Sequence, residues 1–377
     1  MATNDNNFSD LDLDDGVLKG LYLNGFKNPS KIQKEGIKSI ITKKDCILQS
    51  QSGTGKTATY LLGIYKNLKD DPHSKAIVIL PTRELANQVL DVATTIFKYT
   101  NITLSSCIGG SKYNNLNSNL LICTLGRLLH MIDLNKINLK KIKIVAIDEA
   151  DNLLEDKTQI NSNVIKLFSK FNDNIQVILI SATINKIIYS FSNKYMDDPI
   201  KVLVKNDNIV VDLIRQFYVN TELEEYKFDV LIDLYSIIST NQAIIFCNTI
   251  RKVKYLDENL KKNNFTITSI HGQMTQEERN EIVKEFRDGE TRILLTTDLL
   301  ARGIDIPHVN LVINYDLPND KETYIHRIGR CGRFGKKGVA ITLVKMQDPS
   351  DTKQFNKLKN HYDLNINELP EDVDKYI

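Results

Sequence analysis

The sequence predicts an α/β protein of two tandem domains, each a mostly parallel sheet flanked by helices. Three observations predict this. Short β-branched runs, apolar along their whole length, alternate with stretches of helical period. That is the pattern of parallel strands covered on both faces. A chain of 377 residues is comfortable for two cores. A polar break lacking clear helical period, "VKNDNIVVD" from Val204 to Asp212, separates two sets of at least five runs. The domains are therefore placed at 8–204 and 214–377, with a linker at 205–213.

The runs justify the strands in order. In the first half they are "CILQ" (46–49), "AIVILP" (76–81), "LLICT" (120–124), "KIVAID" (143–148) and "QVILISAT" (176–183). In the second half they are "QFYVN" (216–220), "AIIFCN" (243–248), "ILLTTD" (293–298), "LVINYD" (311–316) and "GVAITLV" (338–344). Helices lie between them. After Lys56, for example, Leu61, Ile64, Tyr65 and Leu68 recur at i, i+3, i+4 and i+7. Ligands of such sheets bind beyond the carboxyl ends of the strands. Polar motifs that directly follow apolar runs are thus the candidate functional residues.

Composition narrows the function classes. With 49 basic and 47 acidic residues the net charge is +2, which argues against a strongly basic nucleic-acid domain. Any nucleic-acid contact must use a local basic track. Five cysteines, Cys46, Cys107, Cys123, Cys247 and Cys331, lie far apart without a CxxC pair. Zinc and disulfide readings are both poor, and buried thiols in a reducing compartment are expected. The acidic, polar N-terminus has no apolar core of signal-peptide type. No run reaches the ~18 apolar residues of a membrane span, so no membrane partner is expected.

The first motif is "SQSGTGKT", residues 50–57, between a strand and a helix. It departs from the strict phosphate-loop pattern, because Ser50 stands where Gly is required. The context still supports a phosphate site. Ser52, Gly53, Thr54 and Gly55 would wrap backbone N–H groups around phosphate oxygens at a helix N-terminus. Lys56 would reach the β/γ phosphates, and the Thr57 hydroxyl would ligate Mg²⁺. "KIVAIDEAD" supplies the second part. Asp148 ends a strand and would hold Mg²⁺ through water, while Glu149 is placed to polarise an attacking water. Taken alone, this stretch also reads as an acidic helix start. In the second half "HRIGRCGRFGKKG" gathers His326, Arg327, Arg330 and Arg333 with no acid between them. Such guanidiniums suit phosphates, and an arginine finger is worth roughly 10³–10⁵ in rate. Other polar tips follow runs: Pro81, Thr82 and Arg83; Gly109 and Gly110; Thr124 and Arg127; Ser181 and Thr183; His271 and Gly272; Thr296. Each alone reads equally as a cap or turn. Together they form a surface able to follow a phosphate backbone. There is no Trp and no aromatic cluster resembling a base-stacking platform, so sequence-independent backbone binding follows.

These motifs, in this order, resemble the DEAD-box RNA helicase family, and within it the branch of eukaryotic translation initiation factor 4A and its exon-junction paralogue. The resemblance runs from about Phe8 to Ile377. It implies two RecA-like domains, with ATP and Mg²⁺ as cofactors and RNA as partner. "GFKNPSKIQ" resembles the adenine-sensing motif, with Phe26 stacking and Gln33 reading the base. "SQSGTGKT" is similar to the family's phosphate loop, which typically carries Ala where Ser50 stands. "DEAD" is Asp148 to Asp151. Ser181 and Thr183 of "SAT", with His326 and Arg327, are implied to couple the domains. "ARGID" implies Asp305 near the ribose, and "HRIGRCGR" implies Arg330 and Arg333 as fingers. Gln276 and Arg279 match the QxxR element. Pro81, Thr82, Arg83, Gly110, Thr124, Arg127, Gly272 and Thr296 match RNA-contacting positions. The resemblance further implies a monomeric core that works with a scaffold of initiation-factor 4G type in the cytoplasm. An exon-junction clamp, or a helicase of rRNA processing or splicing, remains the alternative, with nuclear location. Two departures stand out. Leu125 replaces the usual Pro in "TLGR", and only the short "SKYNNLNSN" follows Gly110.

Overall fold

A computed structural model describes residues 7–50, 53–109, 116–156, 159–171, 174–204, 214–237, 242–298, 309–331, 338–361 and 365–370. The chain divides into two compact units, Met1–Asn206 and Asp207–Ile377.

The first unit is a seven-stranded sheet. Its strands are β1 (Cys46–Gln49), β2 (Lys75–Leu80), β3 (Leu104–Cys107), β4 (Leu120–Thr124), β5 (Ile142–Ile147), β8 (Gln176–Ser181) and β9 (Ile200–Leu203). The spatial order is β3-β4-β2-β5-β8-β1-β9, and every ladder is parallel. A separate antiparallel pair, β6 (Glu155–Asp156) and β7 (Gln159–Ile160), lies outside it. Alternation explains why the runs are apolar throughout. Ala76, Val78 and Leu80 enter one core, while Ile77 and Ile79 of the same strand enter the other. The helices α1 (Asp15–Leu23), α2 (Lys31–Ile41), α3 (Lys56–Asp70) and α4 (Arg83–Ile96) supply the first core. The helices α5 (Leu125–Asp133), α6 (Ala150–Leu153), α7 (Ser162–Phe168) and α8 (Lys186–Tyr195) supply the second.

Helix α2 is fixed hard against α3. A Cβ at Gly63 would stand 2.7 Å from Ile40 Cβ, so only glycine permits that approach. The carbonyl of Ile40, near the end of α2, accepts from Asn67 Nδ2 (2.9 Å) and Gln176 Nε2 (2.8 Å) as well as from Lys43 N (3.0 Å). Two buried amides thus satisfy a helix end that water cannot reach.

The second unit repeats the plan. Its strands are β10 (Ile214–Asn220), β11 (Ala243–Phe246), β12 (Ile267–Ile270), β13 (Ile293–Thr296), β14 (Leu311–Asn314), β15 (Gly338–Val344) and β16 (Ile366–Glu368). They lie in the order β12-β13-β11-β14-β15-β10-β16, again all parallel. Ile244 and Phe246 face one core and Ala243 and Ile245 the other. Among the described residues, no helix is long and apolar enough to cross a membrane.

Candidate active site

The turn after β1 is built by glycine and by Ser50. Gly53 (φ 79°) and Gly55 (φ 91°) occupy the left-handed region, which lets the chain curl into the N-terminus of α3. Ser50 is buried, and its hydroxyl meets Thr54 Oγ1 at 2.6 Å. Its N–H donates to Ser181 O (3.3 Å), and its carbonyl accepts from Lys56 Nζ at 2.5 Å. The residue that breaks the strict pattern is therefore the brace of the loop. Gln51 and Ser52 lie outside the described residues.

Helix α2 closes the other side. Ser30 caps it in a reciprocal box with Gln33, whose Oε1 accepts from Ser30 N at 2.7 Å. Ser30 Oγ donates to Thr54 O (2.8 Å), and Gln33 Nε2 donates to Gly55 O (3.4 Å). Gln33 thus holds the loop while keeping one N–H and one lone pair for a ligand edge. Phe26 is half-buried, edge-on to Phe8 at 6.2 Å.

The carboxylates stand at the end of β5. Asp148 is buried, with Oδ1 accepting from Glu149 N (2.8 Å) and Oδ2 from Tyr60 OH (3.0 Å). Burial pushes its carboxyl above the ordinary value, although the Lys56 charge and these donors oppose it. Glu149 adopts φ 48° and ψ 49°, a left-handed conformation that is uncommon for a non-glycine residue. Such backbone strain, about 1–3 kcal/mol, tends to gather at functional sites. Asp151 Oδ2 accepts from Thr183 Oγ1 (3.0 Å), and Ser181 Oγ donates to Thr183 O (2.6 Å). One wired cluster therefore joins the loop, the β5 tip and the β8 tip. Hard oxygen donors at Thr57 and Asp148 suit Mg²⁺.

The rest of the carboxyl-end face belongs to β2, β3 and β4. Thr82 caps α4 by accepting from Leu85 N (3.3 Å). A Cβ at Gly109 would stand 2.9 Å from Arg83 Nη2, so this guanidinium lies on the tip beyond β3. Thr124 occupies the cap position of α5 without a side-chain cap bond, and Leu125 opens the helix. Arg127 Nη1 meets His130 Nδ1 at 3.2 Å. Pro81, Thr82, Arg83, Thr124 and Arg127 are all half-buried at the strand ends, and Gly110 lies outside the described residues.

In the second unit Gly272 is exposed with open space around it, whereas Thr296 is fully buried and its hydroxyl donates to Thr297 O (3.0 Å). Arg279 Nη2 donates to Gln276 Oε1 at 2.9 Å. On the helix Lys321–Ile328, His326 and Arg327 are buried. Arg327 grips Asp298 through Nε (2.6 Å) and Nη2 (3.0 Å), and also bonds Asn248 Oδ1 and Asp316 O. Its partners all lie in the same unit. Arg330 is buried as well, with Nε donating to His326 O (3.1 Å). Asp305 and Arg333 lie outside the described residues.

Comparison with known proteins places this arrangement. Residues 30–191 match the DEAD/DEAH box helicase family model, and residues 226–335 match the helicase conserved C-terminal domain. The chain belongs to the DEAD/DEAH box helicase family. It is an ATP-dependent RNA helicase, similar to eukaryotic initiation factor 4A of Caenorhabditis elegans, with 43% identity over 97% of this chain and 92% of that protein. It is also similar to the ATP-dependent RNA helicase FAL1 of Kluyveromyces lactis, with 42% identity over 98% of this chain and 94% of that protein. Among solved structures it resembles Saccharomyces cerevisiae Dbp5 bound to RNA and ADP BeF3. That match has a TM-score of 0.90, 34% identity, and covers 98% of this chain and 96% of the other. Mss116p bound to ssRNA and AMP-PNP matches with a TM-score of 0.83 at 27% identity, covering 98% of this chain and 80% of the other.

One residue of this DEAD-box helicase was not singled out by its sequence. Tyr60 is fully buried on α3, one turn beyond Thr57, its phenol donating to Asp148. Burial, reinforced by the Asp148 charge, pushes that phenol well above its ordinary value, so it stays a donor. Its spacing from Thr57, i to i+3 on a helix, is the signal that could have found it. Tyr60→Phe removes only the hydroxyl. It is expected to raise the Mg²⁺ needed for half-maximal binding of a fluorescent ATP analogue by roughly fivefold, the equivalent of ~1 kcal/mol. An unchanged Mg²⁺ titration would show that Asp148 needs no such orientation.

Proposed function

We propose that this helicase acts in translation initiation as a factor 4A-like subunit, locally unwinding short RNA duplexes or remodelling RNA–protein complexes. The observation that carries the reading is the wired cluster of the first unit. Ser50, Lys56, Asp151, Ser181 and Thr183 share one hydrogen-bond chain, so a change at the loop is felt at the β8 tip. The similarity to initiation factor 4A supports the choice of pathway.

In this reading Phe26 and Gln33 hold adenine, the 52–57 loop holds the phosphates, and Asp305 meets the ribose. Thr57 and Asp148 hold Mg²⁺, which would neutralise phosphate charge. Glu149 polarises the attacking water, and Arg330 and Arg333 stabilise charge on the γ-phosphate. Pro81, Thr82, Arg83, Gly110, Thr124, Arg127, Gly272 and Thr296 follow the RNA backbone with little sequence preference. Ser181, Thr183, His326 and Arg327 transmit nucleotide state to the RNA, Arg327 by seating the helix that leads into Arg330. The protein is a cytoplasmic, monomeric core whose address comes from a scaffold of initiation-factor 4G type.

A second reading, an ATP-locked clamp or a helicase of rRNA processing or splicing with nuclear location, is favoured by the nearly equal similarity to FAL1. The lifetime of the ATP-bound RNA complex separates cycling from clamping. A cycling helicase releases RNA within seconds, and a complex that persists for hours overturns the initiation reading in favour of a clamp.

A further inference from the structure

Cys107 and Cys123 lie sixteen residues apart in sequence, yet the fold sets them side by side. They are direct partners in the parallel β3–β4 ladder, Cys107 opposite Cys123. Both are fully buried in the same core, with their side chains on the same face of the sheet. The other three cysteines are placed differently: Cys46 faces Ile178 and Ile200 in its ladders, and Cys331 donates to Ile328 O and Val339 O. Cys247 directly follows β11, where its N–H donates to Thr296 O.

We propose that Cys107 and Cys123 form an oxidisable dithiol, a modification site whose closure to a disulfide loosens the RNA-contact corner of the first unit. Adjacent strands run about 4.7–4.9 Å apart, inside the Cα range that a disulfide spans but wide for its Cβ atoms. A bond formed there would draw the strands inward and be readily reduced, which suits a reversible modification. The two thiols are unequal. The Cys123 thiol's hydrogen bond holds Cys107 below the usual thiol range against the cost of burial, and the Arg127 charge helps. Burial pushes Cys123 well above that range. Both sulfurs are buried, so a hydroperoxide reaches them when the β3 edge of the sheet opens locally, and Cys107, on that edge strand, is the sulfur oxidised first.

The chemistry balances with hydrogen peroxide as oxidant. The Cys107 thiolate attacks one peroxide oxygen, the O–O bond breaks, and Cys107 sulfenic acid and hydroxide form. Cys123 then attacks the Cys107 sulfur. Its proton and the departing hydroxide leave as water, as does the first hydroxide with the Cys107 proton. Two thiols and one peroxide give one disulfide and two waters.

The position gives the modification a consequence, which rests on the RNA-contact assignments above. Cys107 lies two residues before Gly109, against which the Arg83 guanidinium sits, and Cys123 directly precedes Thr124. Drawing the two sulfurs together moves the strand tips that present Arg83, Thr124 and Arg127.

The test uses the full chain in reduced form, titrated with hydrogen peroxide and digested for mass spectrometry. The same samples are read for affinity to a labelled single-stranded RNA in the presence of a non-hydrolysable ATP analogue. A peptide cross-linked between Cys107 and Cys123 is expected, with RNA affinity falling roughly tenfold, as when a charge-assisted hydrogen bond is lost, and returning on reduction. Cys107→Ala and Cys123→Ala should each remove both the cross-link and the peroxide effect. Absence of the cross-link in the unaltered chain overturns the proposal. A cross-link without change in RNA affinity also overturns it, and Arg127→Ala in reduced protein then assigns the fault. If Arg127→Ala weakens RNA binding, the RNA corner stands and only the switch is lost; if it does not, the corner assignment fails as well.

Discussion

Glu149→Gln is expected to stop ATP turnover while leaving ATP and RNA binding near their original strength. The loop proposed to hold the phosphates is braced by Ser50, Ser30 and Gln33. Asp148 keeps its donors, because Glu149 contributes its backbone N–H rather than its carboxylate. Glutamine also preserves the length and shape of the side chain at a residue whose left-handed backbone is fixed by the turn between β5 and α6. What is lost is the base. Removing a positioned general base costs about 10²–10⁴-fold in the chemical step. Single-turnover hydrolysis measured with saturating RNA should fall by that factor, and the ATP-bound RNA complex should persist correspondingly longer. A variant that retains more than about a tenth of the rate would move the base elsewhere, since a factor so small is below what general-base loss produces.

How legible this molecule is in its sequence depends on where in each sheet one looks. The ten apolar runs correspond to β1, β2, β4, β5 and β8 in the first unit and to β10, β11, β13, β14 and β15 in the second. Those are the five interior strands of each sheet. Within the two large sheets the four missed strands, β3, β9, β12 and β16, are the four edges; the short β6–β7 pair was missed as well. The reason is physical. An interior strand is buried on both faces and reads as a continuous apolar run, as Ala76 to Leu80 of β2 does. An edge strand such as β3, "LSSC", or β9, "IKVL", alternates buried with partly or fully exposed positions and carries polar residues among the apolar ones. Short and alternating, it does not stand out from a loop.

The candidate site divides in a similar way. Residues fixed by backbone chemistry were readable, because Gly53 and Gly55 must take positive φ and Thr82 must cap a helix. Residues whose importance lies in a side-chain partner distant in sequence were not. Tyr60 reaches Asp148 across 88 positions, and the pairing of Cys107 with Cys123 depends on strand register. Arg327 is the sharpest case. A run of basic residues free of nearby acids suggested guanidiniums directed at phosphate, yet Arg327 is wholly buried against Asp298, a carboxylate 29 positions away. Sequence proximity could not reveal that pair.

Asp298→Ala is therefore expected to be among the most damaging single changes in the second unit. Arg327 cannot lose its proton, so deleting the carboxylate leaves a buried cation whose remaining partners, the Asn248 amide oxygen, the Asp316 carbonyl and the Phe246 ring, carry no full negative charge. Breaking a buried pair from one side costs about 3–5 kcal/mol. The Asp298 side chain is 40% exposed, so water can enter where the carboxylate was, and the lower end, about 3 kcal/mol, is expected. The cost spreads through a network. Asp316 is pushed up by burial but held below the ordinary range by Lys252, the Asn248 N–H and Lys227, and its carbonyl holds Arg327 Nη1. Disturbing Arg327 thus disturbs the seat of the helix Lys321–Ile328, which leads into Arg330. The measurement is thermal unfolding of the full chain, with hydrogen exchange to localise the loss. At roughly 2–4 °C per kcal/mol for a unit of this size, the transition of the second unit should fall by about 6–12 °C. Protection should drop first along Lys321–Ile328. Arg327→Lys should fail to restore stability in the otherwise unaltered chain, since an ammonium cannot reproduce a two-nitrogen grip on Asp298 together with bonds to Asn248 and Asp316. If Asp298→Ala unfolds at the original temperature, the Arg327 cation is already solvated, and its role lies in contacts made during the ATP cycle rather than in holding this helix.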